Sequence, residues 1–254
     1  MFCDMIFVNG QPSTSGQIAL DSGYSFGRGV FETILVKDKP LFLARHLERL
    51  HSGLQVLNVK NDVSEESILD LLARHDIKNC VLKIIATEKN IVLTTRDNPY
   101  RAEDYKRGFK VRLSRLRRNA HSHTTYIKSL NYSDNLLERE KAAEAGYDEV
   151  LFFNTSQELS EGSVSNVFIV QNGRLMTPGV ACGLLDGIVR RWVTENCEVS
   201  EDRLTIDTLM TAQEVFLTNS IMGVMPVTAI GGTVFGLGPV TETVRSLYEQ
   251  AIRL

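Results

Sequence analysis

Apolar residues in this chain come in short runs with two different periods, and that alternation is the tightest limit on its fold. The run Ile6–Val8 stops at Asn9-Gly10, a strong hairpin-turn signal. Residues Val30–Val36 are rich in β-branched and aromatic side chains and are expected as a strand. Residues 81–86 and 91–95 read as a further strand pair around Glu88-Lys89-Asn90. Against these, Leu47, Leu50, Leu54 and Leu57 recur at three- and four-residue steps, which predicts an amphipathic helix over residues 44 to 57. Ser64 is a good N-cap for a second helix whose buried face would be Ile68, Leu71 and Leu72.

The stretch 97–108 is polar and turn-rich and marks an expected domain boundary, dividing a small α/β domain, 1–107, from a larger one, 108–254. Beyond it, strands are expected at 109–113, 150–153, 166–170 and 215–217, with an Asn172-Gly173 turn after the third. Helices are expected at 135–145, ended by Gly146, from Asp186 or Gly187 to 193, and at 241–252. Strands and helices mix without strict βαβ alternation, which predicts an α+β chain of two α/β lobes.

Hydrophobic residues are 43% of the 254 and charged residues 23%, enough apolar material for a substantial core. The net charge of -3 removes the electrostatic footprint of a nucleic-acid binder. Arg112, Arg115, Arg117 and Arg118 form one basic cluster, expected to be a solvated strand and loop face. The four cysteines, Cys3, Cys80, Cys182 and Cys197, show no CxxC pairing and read as free thiols in a reducing cytosol. The amino-terminal segment has no signal-peptide character, and no apolar run approaches the ~20 residues of a membrane span. A cytoplasmic protein is expected.

Four segments carry possible chemistry. Lys128 stands among apolar and small residues in Tyr126-Ile127-Lys128-Ser129-Leu130-Asn131, where burial would suit imine formation. Alone, it reads rather as a lysine reaching from a strand end to water. Glu161, ahead of Gly162-Ser163-Val164-Ser165-Asn166, resembles a site-lining turn or an ordinary surface turn. Gly187-Ile188-Val189 opens a helix whose free N–H groups could hold a phosphate. Thr218, Asn219, Ser220, Ile221 and Gly223 follow a hydrophobic strand as a second possible cradle, with Arg49 as a candidate ion-pair partner. His46 and His51 are five apart and lack the acid of a metal-hydrolase motif.

In order, these segments resemble the fold-type IV, or class IV, aminotransferases, a family that includes D-amino-acid and branched-chain aminotransferases and aminodeoxychorismate lyase. The resemblance begins at Phe26-Gly27-Arg28-Gly29-Val30-Phe31-Glu32-Thr33 and His46-Leu47-Glu48-Arg49-Leu50. It continues through Lys128-Ser129-Leu130-Asn131 and residues 161–168, and ends with Gly187-Ile188-Val189-Arg190 and residues 218–227. It implies pyridoxal 5'-phosphate in an interdomain cleft, a small-molecule substrate and a homodimer. It implies Lys128 as Schiff-base lysine and proton shuttle, and Glu161 as partner of the pyridine nitrogen. Arg49, the Ile188 and Val189 amides, and Ser220 with Ile221 would hold the phosphate, with Ser165 and Asn166 also at the cofactor. Phe31, Thr33 and Arg96 are candidate substrate contacts.

Phe31 stands where D-amino-acid aminotransferases have tyrosine, and Thr87-Glu88-Lys89-Asn90 where their carboxylate-gripping arginine would fall. Residues 219–227 resemble aminodeoxychorismate lyases more than aminotransferases. The implied reaction is conversion of 4-amino-4-deoxychorismate to 4-aminobenzoate and pyruvate, a step of folate biosynthesis. The alternatives are an aminotransferase for branched-chain or D-amino acids, and a non-catalytic binding module of the same fold.

Overall fold

The computed structural model describes residues 5–253, so what is expected of Cys3 and of the extreme amino terminus lies outside the described residues. The chain divides into two compact units. The first runs to Pro99 and also includes Ile127–Asn131; the second comprises Tyr100–Tyr126 and the residues from Tyr132 onward.

In the first unit the elements are β1 (Ile6–Val8), β2 (Gln11–Pro12), α1 (Ser22–Phe26), β3 (Val30–Val36), α2 (Leu43–Val56), α3 (Glu65–Arg74), β4 (Cys80–Ala86) and β5 (Ile91–Arg96). The strands form an antiparallel sheet in the order β2-β1-β5-β4-β3. One face carries Val30, Ile34, Leu82, Ile84 and Leu93 against Leu47, Leu50 and Leu54 of α2 and Ile68, Leu71 and Leu72 of α3. Helical spacing on one partner and strand alternation on the other thus meet in a single apolar layer. Ser64 caps α3 as expected, its hydroxyl accepting from the Ser67 amide.

The second unit holds α4 (Ala102–Arg107), β6 (Phe109–Arg118), α5 (Ser133–Glu144), β7 (Glu149–Asn154), β8 (Leu159–Gly162), β9 (Asn166–Gln171), β10 (Arg174–Pro178) and α6 (Ile188–Asn196). It continues with β11 (Val199–Asp202), α7 (Ile206–Met210), β12 (Glu214–Asn219), β13 (Gly223–Ile230), β14 (Thr233–Val234) and α8 (Pro239–Ala251). A mixed sheet runs β11-β10-β9-β12-β13-β6-β7-β8, with β14 beside β13. Helix α5 lies on β6 and β7, and α6 and α8 lie on β12. Trp192 and Tyr248 join α6 to α8 edge to face at 5.2 Å. No helix among the described residues is long and apolar enough to cross a membrane.

Three expectations change. The division falls after Pro99 rather than after residue 107, and the stretch carrying Lys128 packs with the first unit. The reason is backbone pairing: Phe31 N donates to Lys128 O at 2.8 Å and Leu130 N to Gly29 O at 2.9 Å, extending the edge of β3. Residues 102–107, expected as turn, form α4, with Asp104 accepting from the Arg101 amide at its start. The cradle expected at 218–227 is largely a strand pair, β12 with β13, in which Met225 and Val227 lie in the core and Val224 is buried on the opposite face.

Asp21 ties the connection before β3 to the β4–β5 turn. Its carboxylate accepts from Thr87 Oγ1 at 2.6 Å, Asn90 Nδ2 at 2.9 Å, and the Lys89 and Tyr24 amides, each at 3.0 Å. Burial alone would raise its pKa; these donors outweigh it and bring it from 3.8 down to about 2. Because the folded value is the lower one, the associated stability is complete above the ordinary value and is lost as pH falls towards 2. Asp21→Asn should cost about 1–3 kcal/mol in chemical denaturation at neutral pH. It should also flatten the loss of stability between pH 4 and 2, by about the range over which the carboxyl titrates.

Candidate active site

In the first unit, Lys128 projects its Nζ to 4.5 Å from the centroid of the Phe31 ring, and Phe31 is buried. Phe31 and Thr33 alternate with Glu32 along β3, so Glu32 points to the opposite face, among the helices. There its carboxylate, 0% exposed, is gripped by Arg49: Nε donates to Oε1 at 2.7 Å and Nη2 to Oε2 at 2.8 Å. His46 Nδ1 donates to the same Oε2 at 2.6 Å. Burial pushes the Glu32 carboxyl up, but the charges and hydrogen bonds of Arg49 and His46 prevail and hold it well below the carboxylate range. Burial also lowers His46 beyond what Glu32 restores, which leaves it a neutral imidazole with its proton on Nδ1. The arginine expected at a phosphate therefore has two of its nitrogens on Glu32.

In the second unit, Glu161 is neither on a surface turn nor solvated. It stands on β8, 8% exposed, and its Oε2 accepts from the Leu185 amide at 2.9 Å. Its Oε1 pairs with Arg118 Nη2 at 3.2 Å. Arg118 in turn donates to Asn135 Oδ1 at 3.0 Å and lies 4.0 Å from the centroid of Phe152. The expected solvated basic face is thus divided by strand alternation: Arg115 and Arg117 are exposed, while Arg118 turns under α5. Arg118 is the site residue that sequence reasoning missed. Period-two alternation carried through β6 would have separated it from its exposed neighbours.

Tyr132 and Asn135 both donate to Ser163 O, at 2.8 and 2.6 Å. Burial and the nearby Glu161 charge push the Tyr132 hydroxyl up, so it remains a donor. Glu149 fixes the turn after β8 from beneath, accepting from the Ser163 hydroxyl, from the Ser163 and Val164 amides, and from Ser165 Oγ at 3.0 Å. Ser165, expected at the cofactor, thus donates its hydroxyl hydrogen bond to Glu149, one of several donors that satisfy that buried carboxylate. Asn166 Nδ2 donates to Leu185 O at 2.8 Å.

Helix α6 begins at Gly187 with no side-chain cap, so the Ile188 and Val189 amides face outward from its positive end. A Cβ at Gly187 would meet Asn166 Oδ1 at 2.0 Å, which is why this position takes glycine. Asn166 pairs in register with Thr218 on β12, and the Thr218 hydroxyl is buried without a hydrogen-bond partner among the described residues. Ser220 follows, half-buried, but the Ile221 amide donates to Asn219 Oδ1 at 2.9 Å. Of the expected Ser220 and Ile221 pair, then, Ile221 serves an Asx turn.

Comparison with known proteins identifies the family of this chain. The family description amino-transferase class IV matches residues 29–230. An aminodeoxychorismate lyase of Bacillus subtilis is 30% identical, over 98% of this chain and 95% of the relative. A D-alanine aminotransferase of Bacillus licheniformis is 28% identical, over 97% and 96%. The crystal structure of 4-amino-4-deoxychorismate lyase from Pseudomonas aeruginosa superposes with a TM-score of 0.89 at 25% identity, covering 98% of this chain and 100% of that one. The chain belongs to the class IV aminotransferase family and has its fold.

Membership carries dependence on pyridoxal 5'-phosphate. The residues present fit that group: a phosphate needs converging N–H and O–H donors, and the second unit offers an uncapped helix start beside an unpartnered buried hydroxyl.

Removing one member of a buried ion pair leaves the other uncompensated. Glu32→Gln should therefore destabilise the first unit by about 3–5 kcal/mol in denaturant unfolding, far more than an exposed pair such as Asp70–Arg74 would yield.

Proposed function

We propose that this chain is an aminodeoxychorismate lyase, which converts 4-amino-4-deoxychorismate to 4-aminobenzoate and pyruvate, with Lys128 as the catalytic residue. When bound, pyridoxal 5'-phosphate supplies an electron-withdrawing ring that acidifies the carbon bearing the substrate amine. Lys128 would hold the cofactor until the substrate amine replaces it, then remove the C4 proton. Cleavage of the C3–O bond releases enolpyruvate, which takes up a proton to give pyruvate, and the ring becomes aromatic. Glu161, anchored by Arg118 and the Leu185 amide, would favour the protonated pyridine nitrogen. The Ile188 and Val189 amides, with Thr218 and Ser220, would hold the phosphate.

The observation that carries the lyase reading is the state of the loop after β4. Where D-amino-acid aminotransferases are implied to present an arginine, Thr87 and Asn90 are committed to Asp21, and Lys89 Nζ to Leu20 O at 3.3 Å. No side chain there is poised to grip an amino-acid carboxylate. The likeness to the Bacillus subtilis lyase over nearly the whole chain supports the same choice. The second reading, an aminotransferase, is supported by the relatives named D-alanine aminotransferase. A homodimer is part of the proposal: Leu20, Tyr24 and Phe26, the last 79% exposed, present an apolar segment to solvent.

The deciding experiment mixes holoenzyme with 4-amino-4-deoxychorismate in the absence of any keto acid. Pyruvate release is expected, and Lys128→Ala should abolish both the cofactor's protein-dependent absorbance band and the activity, by at least about 10³-fold. A wild-type band that bleaches with D- or branched-chain amino acids, without pyruvate, would move the assignment to the aminotransferase. Sedimentation should give a dimer, and Phe26→Ser should shift it towards monomer.

A further inference from the structure

The turn between β12 and β13, residues 219–223, carries Ser220 and is held from outside by three tyrosines. Met222 O accepts from Tyr105 Oη at 2.8 Å, a bond between residues 117 apart in the chain. Within the turn, Asn219 Oδ1 accepts from the Ile221 and Met222 amides at 2.9 and 2.8 Å. Asn219 Nδ2 donates to Tyr100 Oη at 3.4 Å, which sets that side chain with its oxygen towards the two amides. Gly223 closes the turn at φ 65°, and a Cβ there would meet the Tyr248 ring of α8 at 2.7 Å.

Tyr105 reaches this turn from α4, a helix with no buried residue of its own. The last turn of α4 is fixed by Arg107, whose Nη1 and Nη2 each donate to Asp148 at 2.8 Å, and whose carbonyl accepts from Thr228 Oγ1 of β13 at 3.2 Å. From that support the Tyr105 ring packs on the core of the second unit. Burial pushes its hydroxyl pKa up, so the group stays protonated and donates. A phenylalanine would cover the core as well. What the hydroxyl adds is an anchor on the carbonyl two residues beyond Ser220, in a turn that would otherwise be among the freer parts of the chain. Met222 is buried, and a carbonyl there that lost its donor would have to turn to find another.

We propose that Tyr105 is a positioning residue for the cofactor phosphate: by holding Met222 O, it keeps the turn that carries Ser220 in place beyond the Thr218 hydroxyl. The inference rests on the reading of Thr218, Ser220 and the α6 amides as the phosphate cradle. Tyr105 acts through one carbonyl and takes no part in proton transfer. Without its hydroxyl the turn loosens, and its donors no longer converge before the ligand arrives. Binding then has to order the turn, and that cost falls on a ligand that carries a phosphate.

The test measures Kd of the full-length chain, stripped of cofactor, for pyridoxal 5'-phosphate and for pyridoxal, which lacks the phosphate. The ratio of the two constants reports what the phosphate adds to binding. Tyr105→Phe keeps the ring on the core and removes the hydroxyl. It should reduce the ratio about three- to tenfold, the loss of one hydrogen bond, with Kd for pyridoxal within about twofold of wild type. A tyrosine that serves structure alone would lower Tm and leave the ratio unchanged, or weaken both ligands alike, and either result would overturn the proposal. If Tyr105→Phe does not fold, Tyr105→Met takes its place, and loss of fold in both would assign the residue to stability and overturn it too. Thr218→Val tests the cradle separately. A wild-type ratio in Thr218→Val would sink the phosphate reading and this inference with it. A reduced ratio there, beside a wild-type ratio in Tyr105→Phe, would overturn the inference alone.

Discussion

A carboxylate withdrawn from water must be given back the hydrogen bonds it loses, and the first unit is organised around that requirement at Glu32. Its strand places the acid among the helices, at 0% exposure, where both oxygens need donors. Arg49 and His46 supply them from consecutive turns of α2, which fixes the rotation and height of that helix on the sheet. Once α2 is fixed, the leucines at its core face meet β3 and β4. By alternation the other side of β3 is then committed to Phe31 and Thr33. The face that carries the proposed chemistry is positioned by a charge pair on the face that does not.

The second unit repeats the solution with different partners. Glu149 is satisfied by hydroxyls and amides of the turn after β8, Glu161 by Arg118 and the Leu185 amide, and Glu214 by the start of α8. Each joins elements distant in the chain, so each specifies register as well as stability. The uncapped start of α6 and the Thr218 hydroxyl are the donors that the proposed phosphate site would use.

This division also bears on what kind of family member the chain is. On the proposed reading, Lys128, Glu161 and the donors around the start of α6 are the lysine, the acid and the phosphate cradle that the family's chemistry needs. Selectivity among family members depends on how the carboxylate of the amino substrate is held. The loop after β4 is spent on Asp21, which on the proposed reading leaves it without a side chain for that task.

Much of this was legible in the sequence. Leucine spacing gave α2, Ser64 the start of α3, Gly146 the end of α5 and Asn172-Gly173 the β9–β10 turn, because helix periods, caps and turn conformations depend on residues adjacent in the chain. The ordered motifs around Lys128, Glu161 and Gly187 gave the family for the same reason. What only the tertiary structure decided is which side chain spends its hydrogen bonds where. Arg49 turned to Glu32, Ser165 to Glu149 and Arg118 to Glu161, and the Lys128 stretch joined the first unit through β3. Those outcomes depend on strand register and on which face a helix covers. A buried charge is indifferent to its partner's place in the sequence and requires only that the fold bring the two within hydrogen-bonding distance.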